Sequence, residues 1–529
     1  MLRRESVIPF LVVCFILASI PTASCISSPP IIYVAGDGSG DYNCYGKSDQ
    51  VQINQALQFV AKNQAYTTVH LKGPFTYVID GTLLIGSNIT LEGDSTAVIK
   101  LANHTGWPVM KPLIQQMSNS GNENITVRGF EVNGNYAGNG EIALGIGFFN
   151  IMYFINSKNI KVYNMYMHDG MGDGLRINQG KNIQFYNNTI YKLGHDSLYA
   201  IRCENVEAWN NSITCRTNSA LRAAESSNVK FHDNLIDFFY HWSAGGPGIL
   251  IEKSNGIVNA VEIYNNTIRN TYGPGIWLIG YGEPYPREEA QNVHIHNNIF
   301  YNTGTNPSID WVGGIVASGY YDTFVENNVF DGVYHAAITN TYPAVVHAGT
   351  DLSPQGKGYT TIVRNNIIIN TQKRTTDPSG TGYAIINYLP ETHTLMLDNN
   401  CLYNNSGGDY KNCSTTTDIY VTPLIADLKN HDYHLKSKAG RWDGRTWRED
   451  NVSSLCIDAG YRYSDYSNEP EPNGSRINIG PDGNTRYASK SKSDVPTPTN
   501  PSANFSSNKT SGYAPLSVQF TDLSKNATG

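Results

Sequence analysis

One five-residue motif returns along this chain at a fixed spacing, and that spacing restricts the folds that the chain can adopt. The motif reads Tyr or Phe, any residue, Asn, any residue, Ile, as in the segment from Tyr186 to Ile190. In four successive units, each 23 residues after the last, the position before its centre is held by Asn164, Asn187, Asn210 and Asp233. A period between about 20 and 50 residues marks a solenoid, in which each repeat packs only on its neighbours.

The repeat continues toward the C-terminus with longer steps. The same position is then held by Asn265, Asn297, Asn327, Asn365 and Asn399. Unequal steps mean that insertions project from one face of the solenoid. Each 23-residue unit contains two or three short β-rich runs and no helix-length apolar stripe. Three short strands per unit predict one turn of a right-handed parallel β-helix.

The central asparagine of the motif recurs in eight units, which are those of Asn188, Asn211, Asn234, Asn266, Asn298, Asn328, Asn366 and Asn400. Stacked coils lie about 4.8 Å apart, so that identical amides at one corner can hydrogen-bond to each other and to the turn backbone. Asparagine also tolerates the left-handed conformation that a sharp corner needs. We therefore predict an internal asparagine ladder, which is a structural device and carries no information about a substrate.

The chain is predicted to divide into four segments. Residues 1–25 are typical of a secretory signal peptide, with two arginines before a short apolar run. Residues 31–487 form the β-helix, which opens with a capping helix and ends in a turn-rich cap. Residues 488–501 are a Ser/Lys/Pro/Thr linker, and residues 502–529 resemble the truncated start of a polycystic-kidney-disease-type (PKD) β-sandwich. The fold class is therefore all-β.

Net charge and cysteine content limit the kinds of partner and binding site that we expect for this chain. The net charge of −7, without a basic run, argues against nucleic acid. After the leader no apolar stretch is long enough to cross a bilayer, and we expect a secreted or cell-surface glycoprotein with several sequons. Cys203 and Cys215, like Cys401 and Cys413, are 12 residues apart, and disulfides suit an exported protein although the pairing cannot be deduced. We expect no metal site and no cofactor, with Ca²⁺ left open as an exception. Sideways association into a homo-oligomer is also left open.

Three features together resemble a known family. They are the capping helix, the asparagine-marked coils, and the ending Cys456-Ile-Asp-Ala-Gly followed by Gly474-Ser-Arg-Ile-Asn-Ile-Gly. In these features the chain is similar to pectate-lyase-like β-helix proteins of archaeal envelopes, and among them to the disaggregatases of methane-forming archaea. The resemblance covers residues 31–487 and implies an enzyme that depolymerises the chondroitin-like matrix between cells. The coil motifs specify the fold and not the activity. The Asn-Thr-Asp and Gly-His-Gly motifs of β-helix polygalacturonases are absent from the sequence, which argues against pectin as the substrate.

Coils stacked in register would bring residues distant in the chain side by side. Asp173 and Asp196 occupy the same position on neighbouring coils, just before a predicted strand, and His195 lies beside the second. Two carboxylates stacked about 5 Å apart repel each other, which raises one pKa and separates an acid from a base. Hydrolysis of a glycosidic bond uses such a pair at this retaining distance, or at the longer inverting distance if the side chains spread apart. Asp173, Asp196 and His195 are therefore the predicted catalytic residues.

The outward face of the same strands supplies candidates for binding a sugar chain. Guanidinium groups bind uronate or sulfate, and aromatic rings stack on sugar rings. The predicted substrate-binding residues are Arg176, Tyr199, Arg222, Glu225, Glu252, Trp277 and Trp242. Simpler interpretations stay open, because an Asp before Gly often only caps a turn, and Arg or Tyr on a sheet is often plain surface.

Three functions are compatible with the sequence. The first is a secreted glycoside hydrolase that depolymerises an acidic, chondroitin-like envelope polysaccharide by carboxylate acid/base catalysis. The second is a polysaccharide lyase acting by β-elimination, in which Arg176 or Arg222 neutralises a uronate while His195 or Tyr199 abstracts the adjacent proton. The third is a non-catalytic cell-surface adhesin or carbohydrate-binding protein. We place the hydrolase first, with an acidic polysaccharide as the partner.

Overall fold

Short parallel strands, three to a coil, build most of the structure, which is a computed structural model. It describes residues 30–108, 111–140, 151–214, 218–238, 246–280, 284–307, 312–340, 356–376, 379–491, 505–509, 511 and 518–522. The strands form three long sheets, here called the first, second and third sheet in the order in which a coil passes through them. Pairing within these sheets is parallel, so the predicted parallel β-helix is confirmed.

The three sheets run the length of the solenoid. The first sheet has fourteen strands, in the spatial order Tyr42–Asn43, Ile31–Ala35, Thr68–Leu71, Thr90–Gly93, Glu123–Arg128, Lys158–Tyr163, Lys181–Tyr186, Glu204–Trp209, Ser227–His232, Val258–Tyr264, Ala290–His296, Thr323–Glu326, Tyr359–Arg364 and His393–Asp398. The second sheet has twelve, which are Thr76–Ile79, Val98–Leu101, Glu131–Asn133, Tyr166–His168, Thr189–Tyr191, Ser212–Thr214, Leu235–Asp237, Thr267–Arg269, Ile299–Tyr301, Val329–Asp331, Ile367–Ile369 and Cys401–Tyr403. The third sheet also has twelve, which are Leu83–Ile85, Ile114–Gln116, Met152–Ile155, Leu175–Asn178, Leu198–Ile201, Leu221–Ala224, Ile249–Lys253, Ile276–Gly280, Ile315–Ser318, Ala336–Thr339, Tyr383–Ile386 and Gly408–Lys411.

The predicted capping helix is confirmed as Gln50–Lys62, which buries Ile53, Ala56, Leu57 and Val60 against the first coils. Short 3₁₀ turns lie at Tyr136–Asn139, Arg287–Glu289 and Leu428–Asn430. Three small antiparallel pairs join Ile425–Asp427 to Asp432–Leu435, Arg441–Trp442 to Trp447–Arg448, and Phe505–Ser507 to Phe520–Asp522. Among the described residues no helix is long and apolar enough to span a membrane.

The internal asparagine ladder is present. In each step from Asn188 to Asn400, the side-chain Nδ2 donates to the Oδ1 of the asparagine on the next coil, over 2.9–3.0 Å. At the end of the ladder Asn400 donates to Asp418 instead, over 3.1 Å. All eight amides are buried. Because each also bonds to backbone carbonyls, such as Val162 O for Asn188, the ladder locks the coils in register.

The residues after the last coil fold back along the side of the solenoid. Tyr433 and Ile479 pack on Ile367 of the second sheet. The corner residue Asn297 donates from Nδ2 to the carbonyl of Pro481 over 2.8 Å. This segment therefore covers the outer surface of the second sheet in the later coils, and it also reaches Arg364 at the end of a first-sheet strand through Tyr461.

The described cysteines, including Cys203, Cys401, Cys413 and Cys456, are free thiols. Cys401 contacts Cys456 in the C-terminal segment and is not joined to Cys413. Cys215 lies outside the described residues, as do the predicted signal peptide and most of the linker. Only two short paired strands are described after residue 491, so the PKD-type module stays a prediction.

Candidate active site

Asp173 and Asp196 stand at the same corner of neighbouring coils, as the 23-residue period predicts. The third-sheet strands that follow them pair in register, with Leu175 opposite Leu198. The corner is tight, because a Cβ atom at Gly174 would lie 2.6 Å from the carbonyl oxygen of Ser197. The close packing of successive corners brings the two carboxyl groups and His195 together, with one ligand atom of each within 4.8 Å of the others.

Both oxygens of Asp173 are engaged. Its Oδ1 accepts from His195 Nδ1 over 2.7 Å and from the backbone N–H of Asp196 over 3.0 Å. Its Oδ2 accepts from Arg176 Nη1 over 3.4 Å. The carboxylate thus caps the corner of the next coil and also holds an imidazole and a guanidinium.

Asp196 repeats this arrangement one coil further along. Its Oδ1 accepts from the backbone N–H of Ser219 over 2.8 Å and from the Ser219 hydroxyl. Its Oδ2 lies 3.3 Å from Arg222 Nη1 and 3.2 Å from His195 Nδ1. The imidazole of His195 therefore bridges the two carboxylates. Sequence reasoning missed Ser219, although it follows Asp173 and Asp196 at the same 23-residue step.

The charges of this network shift its pKa values. Burial alone would raise the pKa of Asp173, but the positive charges of His195 and Arg176 and the bond from the Asp196 N–H outweigh it, and the pKa is lowered. Burial opposes the protonation of His195, but the Asp196 and Asp173 carboxylates prevail and raise its pKa. The expected rise of a carboxyl pKa by mutual repulsion is therefore wrong for Asp173, because an imidazolium lies between the two acids.

The two carboxylates do not reach the surface. Asp173 and Asp196 have 0% of their side-chain surface exposed, whereas His195 has 14% and Arg176 has 17%. Of the predicted catalytic residues, His195 is thus the one that a bound molecule can touch directly. The acids act on such a molecule only through His195 and the arginines.

The outward row of the third sheet surrounds this network with cations and a phenol ring. Tyr199 lies between two guanidinium groups, with its ring centroid 4.8 Å from Arg176 and 4.1 Å from Arg222. Arg222 is fixed from the other side by Glu252, whose Oε2 accepts from Nε over 3.1 Å. Burial raises the pKa of Tyr199 to about 12. The pKa of Arg222 is raised too, because the Asp196 and Glu252 charges outweigh its burial.

Three predicted binding residues are not part of this surface. Trp277 is 6% exposed and packs with Leu250 and Val316, so little of its ring is open to a sugar, and its stacking role stays a prediction. Glu225 is held at a different corner, where it accepts from Arg202 Nε over 2.7 Å. Trp242 lies outside the described residues.

A divalent cation is a poor fit to this donor set. Asp173, His195 and Asp196 are close enough in principle to ligate one ion. However, every oxygen of the two carboxylates already accepts from a protein donor, and Arg176 and Arg222 bring positive charge to the same oxygens. Ca²⁺ requires six to eight oxygen ligands. The residues therefore form an ion-pair network and not a metal centre.

Two family models match parts of the chain. Residues 258–460 match the family model described as disaggregatase related, and residues 114–300 match the model described as right handed beta helix region. The resemblance inferred from the sequence is confirmed over these ranges. The chain folds as a right-handed parallel β-helix, and part of it, residues 258–460, matches the disaggregatase-related model. No curated protein matches the chain.

Solved structures of similar fold come from proteins with different functions. The surface adhesin PfbA of Streptococcus pneumoniae matches with a TM-score of 0.50 and 16% identity, over 70% of this chain and 90% of that chain. The mannuronan C-5 epimerase AlgE6 A-module of Azotobacter vinelandii matches with a TM-score of 0.49 and 14% identity, over 72% and 97%. An exopolygalacturonase of Thermotoga maritima matches with a TM-score of 0.43 and 13% identity, over 70% and 87%. At these identities the likeness concerns the fold alone.

Proposed function

We propose that this chain hydrolyses an acidic, chondroitin-like polysaccharide of the cell envelope at the surface around His195. One observation carries the proposal: the imidazole of His195 contacts two buried carboxylates and is itself partly exposed, 6.4 Å from the ring of Tyr199, which lies between two guanidinium groups. The disaggregatase-related region supports the substrate class, because the family resemblance implies that such enzymes act on this kind of matrix. An extracellular substrate also agrees with the export predicted from residues 1–25.

Binding of the polymer is assigned to the two arginines. Guanidinium groups bind uronate carboxylates and sulfates through paired, charge-assisted hydrogen bonds. Arg176 and Arg222 flank Tyr199, and both are partly exposed. Asp173 and Asp196 neutralise part of the charge of these arginines. The surface therefore attracts anionic sugars only moderately and does not hold a small anion tightly.

The chemistry follows from the raised pKa of His195. Because the neighbouring carboxylates raise its pKa, His195 holds a proton more readily than an ordinary imidazole, and its protonated form can donate that proton to the glycosidic oxygen while the bond between that oxygen and the sugar carbon breaks. Water adds to the sugar carbon and its proton passes to Glu252, which is 18% exposed, whereas Asp173 and Asp196 are fully buried. Asp173 and Asp196 are then positioning residues that keep His195 protonated and oriented.

A lyase mechanism is less well supported by the same groups. β-Elimination needs a base that has already lost its proton. The pKa of His195 is raised, and that of Tyr199 is raised to about 12, so both groups hold their protons more tightly than an ordinary imidazole or phenol.

A second candidate is non-catalytic binding of the polysaccharide. The observation that favours it is the complete hydrogen bonding of Asp173 and Asp196, whose oxygens serve the corners of the coils. In that case Arg176, Tyr199 and Arg222 hold the polymer and no bond is broken.

The test incubates the full chain with chondroitin and follows polymer length, new reducing ends and the ultraviolet absorbance of unsaturated uronates. Hydrolysis shortens the polymer and creates reducing ends without new absorbance. We expect His195→Gln to lower the rate by about 100-fold or more. The matched control is His70→Gln, because His70 also lies between two carboxylates, 3.0 Å from Glu92 and 3.1 Å from Asp94, but on the first sheet.

Other results would contradict the proposal in different ways. New ultraviolet absorbance would identify a lyase, and binding without shortening would identify an adhesin. A folded His195→Gln variant that cleaves chondroitin at the wild-type rate would show that the catalytic site is not at His195.

A further inference from the structure

A second polar surface lies on the outer face of the first sheet, around the corner from His195 on the same coils. It is a groove with a cavity volume of about 770 Å³. One edge is a second row of stacked asparagines, here called the outer ladder, which consists of Asn124, Asn159, Asn182, Asn205 and Asn228. In each step, Nδ2 donates to the Oδ1 of the preceding asparagine, over 2.7–3.1 Å.

The backbone explains why asparagine recurs there. Each residue of the outer ladder has a φ between 54° and 59°, which is the left-handed conformation that asparagine adopts more readily than most residues. The corner therefore selects the residue, and the stacking of coils aligns its amides into a row.

The outer ladder keeps unused hydrogen-bonding capacity at the surface. A carboxamide has two N–H donors and an oxygen with two lone pairs. A ladder step uses one N–H and one lone pair. Asn124 makes one further step of the same kind, to Asn88 over 2.7 Å, and beyond these steps no side-chain hydrogen bond is recorded for the five amides within the described part of the chain. Four of the five side chains are exposed, and that of Asn205 is half-buried. One donor and one acceptor per coil thus remain for a ligand.

The floor of the groove repeats on the same spacing. Outward-pointing Lys161, Gln184, Glu207 and Lys230 follow one another on successive strands of the first sheet. Within the described residues, no hydrogen bond or ion pair is recorded for the side chains of Lys161 and Gln184, whereas Lys230 pairs with Glu262 over 3.0 Å. Two lysines and one glutamate leave little net charge in the groove.

Aromatic rings stand beside the floor, two residues further along each strand. The ring centroids of Tyr163 and Tyr186 are 4.6 Å apart, and those of Tyr186 and Trp209 are 4.2 Å apart, with nearly parallel planes. His232 continues the stack, 6.0 Å from Trp209. Because these rings stack from coil to coil, they form a continuous row beside the groove. The row and the groove therefore run parallel to the axis of the solenoid.

We propose that this groove binds one extended glycan strand along the axis, through its hydroxyl and acetamido groups. Five coils at a spacing of about 4.8 Å give a row about 19 Å long. That spacing is close to the length of one hexose unit in an extended chain, so each sugar meets an equivalent set of amide and floor groups. The near balance of charge selects an uncharged or weakly charged strand, unlike the arginine-lined face around His195.

The experiment measures binding of chitohexaose, an uncharged chain of six N-acetylglucosamine units, to the full chain by calorimetry. The test variant is Lys161→Ala with Gln184→Ala, because neither side chain has a recorded protein partner and the outer ladder is left intact. We expect binding about tenfold weaker, as the loss of two ligand hydrogen bonds predicts. Affinity should change little between low and high salt, because few charges take part.

Two further variants make the result specific. Met396→Ala alters an exposed residue of the first sheet outside the groove and should bind like wild type. His195→Gln should also bind chitohexaose normally, whether or not it has lost cleavage, which separates this proposal from the proposed function. Equal binding by the double variant, or no binding by wild type, would overturn the proposal. It would also be overturned if the wild type formed dimers that the double variant did not form, because a second copy would then occupy the groove.

Discussion

Two asparagine ladders follow the same coils, one inside the solenoid and one on its surface. The inner ladder runs from Asn188 to Asn400 with every amide buried, and the outer ladder runs from Asn124 to Asn228 with most amides exposed. Their amide–amide distances are nearly the same, about 3 Å in both. They differ in what replaces a lost hydrogen bond: water can reach the outer ladder but not the inner one.

The same contrast in burial separates the two proposed binding surfaces. Around His195 the buried carboxylates have all their partners within the protein, and they fix the geometry of a few exposed groups. In the first-sheet groove the polar groups are exposed and only partly used. Burial therefore turns a repeated polar residue into a structural element, and exposure leaves it available to a ligand.

The largest effect is expected from deleting one rung of each ladder. Asn266 donates to the carbonyl of Phe231 and to Asn298, and accepts from Asn234, so Asn266→Ala leaves several buried groups unpaired. We expect its free energy of unfolding to fall by about 4 kcal/mol. Asn182→Gly keeps the left-handed corner and should cost less than about 1 kcal/mol. Urea unfolding of both variants measures the difference, and equal losses would show that burial is not what distinguishes the ladders.

A smaller effect is expected for charged groups. Asp196→Asn removes the buried negative charge that faces Arg222 and His195 and should destabilise the fold by about 3 kcal/mol. Glu204→Gln breaks a surface pair with Lys181, at 2.8 Å, and should cost less than about 1 kcal/mol, because solvent screens both charges. Thermal unfolding of the two variants at neutral pH provides the comparison. A stable Asp196→Asn protein would mean that the network contributes little to folding.

The smallest effect is a difference in pH dependence between two histidines. The pKa of His195 is raised in the folded state, so its stabilising contribution is full below the unfolded pKa of about 6.5 and is lost as the pH rises through the folded pKa. Burial lowers the pKa of His294 on the first sheet, so its contribution has the opposite sign and stability is lost as the pH falls.

The measurement compares wild type with His195→Gln and with His294→Gln between pH 5 and 8, a window chosen around the unfolded value of about 6.5. Lowering the pH should widen the stability difference for the first variant by on the order of 1 kcal/mol and narrow it for the second by less, because solvent screens the exposed His294 ring. Parallel curves would show that the carboxylates do not hold a proton on His195.

Much of the architecture could be predicted from the repeat. The corner residues Asn187 and Asn210 have the same phase as the ladder, so the coil length, the inner ladder and the alignment of Asp173 with Asp196 all follow from one period. The outer ladder was equally accessible, since Asn159 and Asn182 are also 23 residues apart, but a surface asparagine is easily dismissed as part of a loop. The 23-residue spacing of these asparagines is visible in the sequence, but the spacing does not show whether their side chains are buried or exposed.

Other features could not be read from the period. The ring of Trp277 has the phase of an outward residue, yet neighbouring apolar side chains cover it. Cys413 is the cysteine nearest to Cys401 in the sequence. The segment that folds back after the last coil nevertheless brings Cys456, and not Cys413, into contact with Cys401. The partner of Cys401 comes from beyond the coils, and the spacing of the repeat does not indicate it. Leu250 and Val316 are the register partners of Trp277, so the repeat aligns these three residues but does not show how far the ring is buried.

The amino-acid sequence alone determined the register of this protein, because each coil repeats the same local conformations and asparagine is the commonest residue at its left-handed corners. Only the tertiary structure decided which aligned residues are accessible. It buried the Asp173 and Asp196 carboxylates beneath His195 and exposed the amides of the outer ladder, because access to solvent depends on whatever packs over a position from distant parts of the chain.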